Sequence, residues 1–119
     1  MMTLTMLWLV LAVSQTSQPS APTPAVAGNV ETGGRLFMKH TCYYCHGTVG
    51  QGGVAGARVA AVARNAQSFI RYVRRPSGQM PAYTEKILSD RELTDIFAYL
   101  RSLPPAKAVR DIPLLSAIK

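Results

Sequence analysis

The stretch Cys42-Tyr43-Tyr44-Cys45-His46 puts two thiols and an imidazole within five residues, and its reading decides the fold. Each sulfur can add to one vinyl group of a haem, making two thioether bonds. The histidine that follows is then held under the porphyrin, where a ring nitrogen can bind the iron. The chain of 119 residues has two cysteines, and both lie here, so none is left for a disulfide. Other readings of a Cys-x-x-Cys pair fit less well. A thioredoxin-like redox motif needs a preceding strand and a βαβ surrounding, and neither pattern is present in the sequence. A zinc site would have to recruit His40, crowding four ligands into seven residues, whereas structural zinc sites use two separated pairs. The motif therefore predicts one covalently attached haem c on Cys42 and Cys45, with His46 as an axial ligand.

Size points the same way. Residues 28–119 form one domain of 92 residues at most. A chain that small buries only about two-thirds of its unfolded surface and is marginal by itself; a covalently attached haem supplies the missing apolar centre.

Upstream, residues 4–13 (Leu-Thr-Met-Leu-Trp-Leu-Val-Leu-Ala-Val) are a ten-residue apolar core. A membrane helix needs about 20 residues, so this segment matches a secretory signal better than a span. No Lys or Arg precedes it. Cleavage after Ser14 and cleavage after Ala27 both remain open. Residues 14–27 carry Pro19, Pro22 and Pro24 without a charge, the composition of a semi-extended spacer. Residues 1–27 are thus expected to be a signal peptide and spacer, and the protein to be exported to the periplasm.

Three helices are expected downstream. The first covers about Val30 to His40, capped by Asn29, with Gly33, Leu36 and Phe37 on one face. Gly47 to Gly56 holds five glycines and reads as a loop. The second covers about Ala66 to Arg74, opened by Asn65 and stopped by Pro76, with Phe69, Ile70 and Val73 inward. The third begins at a capping box, Ser89 with Glu92, and repeats Leu93, Ile96, Phe97 and Leu100 at helical spacing until Pro104-Pro105. No stretch alternates long enough to be a strand, so the fold class is all-α. The tail from about residue 106 carries apolar Ile112, Leu114, Leu115 and Ile118 and is expected to wrap the domain or to dock on a partner subunit.

Met80 is the only methionine after His46. It sits in the loop Ser77-Gly78-Gln79-Met80-Pro81-Ala82-Tyr83, where the adjacent proline restricts the backbone. It is the expected second axial ligand. Met38 reads as a helix-face filler and His40 as a surface residue. His and Met together close both axial sites, and the thioether favours ferrous iron, which predicts outer-sphere electron transfer rather than chemistry on a bound substrate.

With these residues the chain resembles the class I c-type cytochromes, especially the short bacterial monohaem carriers. The resemblance runs from Gly33 to about Leu103. It rests on Gly33-x-x-x-Phe37, the attachment motif with Gly47 after it, Gln79-Met80-Pro81-x-Tyr83, and the closing Leu93-Thr94-Asp95-Ile96-Phe97-Ala98-Tyr99-Leu100. It implies a cytochrome c fold in which the first and last helices cross near-perpendicularly. Gly33 would give the close approach, and Phe37 would pack on Leu100 or Tyr99. Four residues rather than three separate Phe37 from Cys42, and 33 separate His46 from Met80, so the middle of the fold is trimmed.

The formal charge of +7 lies wholly outside residues 1–27, and the haem propionates subtract about two. Arg71, Arg74 and Arg75 precede the Met80 loop. They are expected to be a solvated face, a propionate partner, or a rim that steers a redox protein with an acidic docking surface. No base-reading motif suggests nucleic acid. The leading function is an electron carrier between a periplasmic dehydrogenase and a respiratory acceptor. The alternatives are a dedicated cytochrome subunit of a periplasmic oxidoreductase and, from another class, a haem enzyme or gas sensor in which Met80 dissociates.

Overall fold

The computed structural model describes residues 27–116. The apolar segment 4–13, the prolines of the spacer and the Ser14 cleavage point lie outside the described residues. Helix α1 spans Val30–Lys39 and begins where the Asn29 side chain accepts the Thr32 N–H. A single turn, α2, covers Cys42–His46. Helix α3 spans Ala66–Arg74 behind the Asn65 cap, and α4 spans Asp90–Ser102 behind a complete Ser89–Glu92 capping box. Each such cap satisfies an N–H that the helix cannot, worth about 1 kcal/mol. A 3-10 turn at Val109–Asp111 and the four-residue α5, Pro113–Ser116, follow. These two pack on each other and not on the earlier helices. The described residues contain no strand, and the protein is all-α, as its sequence predicts. None of their helices is long and apolar enough to cross a membrane.

The principal helix pair is α1 against α4, with α3 on α4 as the second. Gly33 makes the first pair possible: a β-carbon there would stand 1.9 Å from the Asp95 carbonyl oxygen. No side chain fits, so the backbones can touch. Phe37, one turn on, is 1 % exposed and its ring lies 5.6 Å from that of Tyr99. Burying a side chain of this size contributes roughly 1.5–3 kcal/mol. Phe69 meets Phe97 at the same 5.6 Å separation and joins α3 to α4. Asp95, buried in α4, accepts the Asn29 N–H at 2.7 Å, so the α1 cap is itself tied to the closing helix. Leu36, Phe37, Val73, Leu88, Leu93, Ile96 and Leu100 make the core. Leu88 is a loop residue that no periodicity marks.

One expectation is corrected. His40 is not a surface residue: it is half-buried, its ring edge-on to Tyr83, because the chain turns at Thr41 and brings the end of α1 under the Met80 loop.

Candidate haem-binding site

Thr41 has φ +57°, a left-handed conformation rare for a branched residue. It ends α1 and starts α2 in a new direction. In the single turn of α2, Cys42, Cys45 and His46 fall at i, i+3 and i+4, so all three share a face. All three border a cavity of 860 Å³, and Met80 borders it too.

His46 is oriented by the glycine loop. Its Nδ1 lies 2.7 Å from the Ala57 carbonyl oxygen. A carbonyl only accepts, so Nδ1 donates its proton and the Nε2 lone pair is left for a metal. The loop reaches this position because the Gly52 N–H donates to the His46 carbonyl at 2.8 Å. Gly56 passes so close to the motif that a β-carbon would lie 2.7 Å from the Cys45 carbonyl oxygen. Burial pushes the Cys42 thiol up to about 11 against a weaker opposing backbone hydrogen bond; the sulfur sits neutral in an apolar wall.

Met80 is half-buried against the core cluster. Beyond it, Tyr83 is held from three sides. Its hydroxyl donates to the His40 carbonyl at 3.0 Å, its N–H donates to the Val73 carbonyl at 3.2 Å, and its own carbonyl accepts from Arg74 at 2.8 Å. Burial first, then the Cys42 thiol, raises the Tyr83 hydroxyl above its ordinary value, so it remains a proton donor.

Among the described residues, the charged side chains on the cavity wall, the His46 imidazole aside, are Arg58 and Arg64, and no carboxylate lines it. Arg58 donates to the Pro104 carbonyl at 2.7 Å. Arg64 lies over the Tyr72 ring, 4.8 Å from its centroid, and the Tyr72 hydroxyl is 3.1 Å from the Ser77 hydroxyl. That bond to Ser77, helped by Arg64, lowers the Tyr72 hydroxyl from its ordinary value. Arg71, Arg74 and Arg75, for which a propionate partner is one of the three expected roles, do not line this cavity and border a second one of 310 Å³ with Asp90. The reason is helical phase, since Tyr72 and Val73 take the face of α3 turned to the large cavity. His40 does not line the large cavity, and its Nε2 is buried without a hydrogen-bond partner.

The residues present fit a haem. The volume is near the upper end of the ~300–1,000 Å³ typical of cofactor pockets, and the core leucines, isoleucine and valines suit a flat apolar macrocycle. Two thiols, an imidazole and a thioether border the same space, and two guanidinium groups suit a dianionic edge. A family model described as cytochrome c oxidase, cbb3-type, subunit III matches residues 28–100. The chain belongs to this family of c-type cytochromes. The match opens just before α1 and closes in α4, so it takes in the helical body up to the last two residues of α4 and leaves out the tail. No curated protein and no solved structure matches the chain. The c-type cytochrome domain carries covalently bound haem c, and Cys42-x-x-Cys45-His46 fits its attachment motif. It is an electron-transfer domain.

Ala57, Arg58, Arg64 and Tyr72 were not marked as site residues by the sequence. A backbone acceptor such as the Ala57 carbonyl has no residue signature. A search for cations among the loop residues would have found Arg58 and Arg64, but not which way they face.

Proposed function

We propose that this cytochrome is an exported one-electron carrier whose iron is ligated by His46 Nε2 and Met80 Sδ. A covalently held haem supplies a ferric/ferrous couple with porphyrin edges for electrons to enter and leave. The residues around it do the rest. The Ala57 carbonyl fixes the His46 tautomer and raises its basicity. Met80 offers a soft thioether that favours the reduced state. The apolar wall excludes water and limits reorganisation. Arg58 and Arg64 offset the propionate charge. The observation that carries this reading is that the imidazole with its Nε2 free and the only downstream methionine border one cavity.

The apolar residues 4–13, read as an export signal, support transfer in the periplasm, between a dehydrogenase and a respiratory acceptor whose docking face is acidic. A dedicated subunit of a periplasmic oxidoreductase is the second reading. It is favoured by the tail, where Val109 and Leu114 are 65 % and 84 % exposed. Stable co-purification with a large enzyme would favour it over a free carrier.

The ligand assignment is tested on purified holoprotein. The parent is expected to show the weak red charge-transfer band of ferric iron–thioether ligation and no carbon monoxide binding in the ferrous state. Met80→Ala should lose the band and bind carbon monoxide. A parent without the band, or a Met80→Ala protein that keeps it, overturns the assignment; a parent that binds carbon monoxide favours the gas-sensor class.

A further inference from the structure

We propose that Arg74 is a positioning residue that holds the Met80 loop closed and so keeps the thioether on the iron; this rests on the reading of Met80 as a ligand. Arg74 is the last residue of α3, and its side chain is 20 % exposed. Its guanidinium reaches three acceptors beyond the loop. Nη1 donates to the Tyr83 carbonyl at 2.8 Å and to the Leu88 carbonyl at 2.7 Å, and Nη2 pairs with the carboxylate of Asp90, the first residue of α4. The Tyr83 N–H returns to the carbonyl of Val73, the residue before Arg74. Residues 73 and 74 therefore grip Tyr83 through both its N–H and its carbonyl, three positions after Met80.

The segment from Arg75 to Ala82 is thus a short bridge whose two ends are fixed at one place, the carboxyl end of α3. Fixing both ends of so short a bridge restricts how far Met80 can swing from the cavity. The Tyr83 hydroxyl bond to His40 adds a tie to α1, but Arg74 alone joins the loop to the start of α4 as well. Two of its three acceptors are backbone carbonyls, and the Tyr72–Ser77 hydroxyl pair, 3.1 Å apart, ties the loop only to α3. A guanidinium serves because its planar fork reaches several acceptors at once, which an ammonium on a flexible stem does not. Arg71 and Arg75 stay exposed, and Arg71 donates only to the Ser68 hydroxyl one turn back, at 3.0 Å.

The test compares the parent holoprotein with Arg74→Met and Arg74→Lys. The readouts are the rate at which imidazole replaces the intrinsic ligand on ferric iron, and the pH at which the charge-transfer band is lost. Losing charge-assisted bonds should speed imidazole entry about tenfold in Arg74→Met, move the loss of the band to lower pH, and lower the reduction potential; Arg74→Lys should fall between. Asn29→Ala weakens the α1 cap instead and should cost global stability while leaving imidazole entry unchanged. If the Arg74→Met protein does not accumulate, Arg74→Lys and Asp90→Asn, which weakens the ion pair with the same guanidinium, decide the matter by faster entry. Entry rates equal to the parent's, or an Asn29→Ala protein accelerated as much, overturn the proposal. When the parent has a Met80-dependent band and the Arg74 variants behave as parent, only the role of Arg74 fails. When the parent has no such band, the ligand assignment fails first.

Discussion

The imidazole Nδ1 of His46 and the carbonyl oxygen of Ala57 lie 2.7 Å apart, eleven positions apart in the chain and across a loop of glycines. The contact selects the tautomer that exposes Nε2, and it makes the ring a stronger donor to iron. It depends on backbone passing close to backbone, as the proximity of Gly56 to the Cys45 carbonyl shows.

Gly56→Ala should therefore retune the haem without removing a ligand. A β-carbon 2.7 Å from the Cys45 carbonyl oxygen forces the loop outward and lengthens the Ala57 contact. A less basic imidazole stabilises ferric iron less, so the reduction potential should rise. The expected shift is up to about 60 mV, which for a one-electron couple is a tenfold change in relative ferric and ferrous stabilisation. Equilibrium redox titration of the two holoproteins measures it.

Gly33→Ala should be among the most damaging single changes in the helical body. The added carbon meets the Asp95 carbonyl at 1.9 Å, a backbone atom that cannot swing aside. Separating α1 from α4 is expected to cost about 3 kcal/mol or more. The neighbouring Gly34→Ala meets only the Tyr99 ring at 3.3 Å. Since alanine is the better helix former by roughly 0.5–1 kcal/mol, it should be close to neutral. Denaturant unfolding of the two holoproteins separates them.

Ser89→Ala should destabilise the fold by about 1 kcal/mol at neutral pH through loss of the α4 cap. The backbone N–H of Ser89 first, and its hydroxyl second, hold the Glu92 carboxyl below its ordinary 4.5. A depressed folded pKa adds stability that is present above the unfolded value and is lost as pH falls through the folded one. The gap between parent and Ser89→Ala should therefore narrow below about pH 4. It should not close entirely, because the Glu92 N–H bond to the Ser89 hydroxyl does not depend on that charge. Urea midpoints at several pH values check both statements.

Electron exchange with an acidic redox partner should slow as salt rises from about 10 to about 300 mM, where screening shortens the reach of charge to a few ångströms. The formal +7 is the source of that attraction. Stopped-flow rates that stay flat over the range would remove electrostatic steering from the account.

The local features were legible because their causes are local. Asn29, Asn65 and Ser89 cap the helices that their sequence positions announce, since a cap bonds to an N–H only two or three residues away. The inward faces of α1, α3 and α4 follow from spacing alone, and resemblance to a known family supplied the close approach at Gly33. The burial of Leu88 and His40 was not legible, because each depends on where a loop folds back. The three arginines before Met80 read alike in sequence, yet Arg74 is committed to two carbonyls and a carboxylate while Arg71 and Arg75 face outward.

The sequence by itself determined the bounds of the three longer helices, the all-α class, the attachment motif and a single candidate methionine, because capping, periodicity and thioether chemistry act over a few neighbouring residues. It did not determine the short turns at Cys42–His46, Val109–Asp111 and Pro113–Ser116. Only the tertiary structure decided that the imidazole and the thioether share one cavity, which carbonyl orients His46, and which arginines face that space. Those contacts join residues far apart in the chain, largely through backbone atoms that are the same in every residue, so no pattern of side chains could announce them.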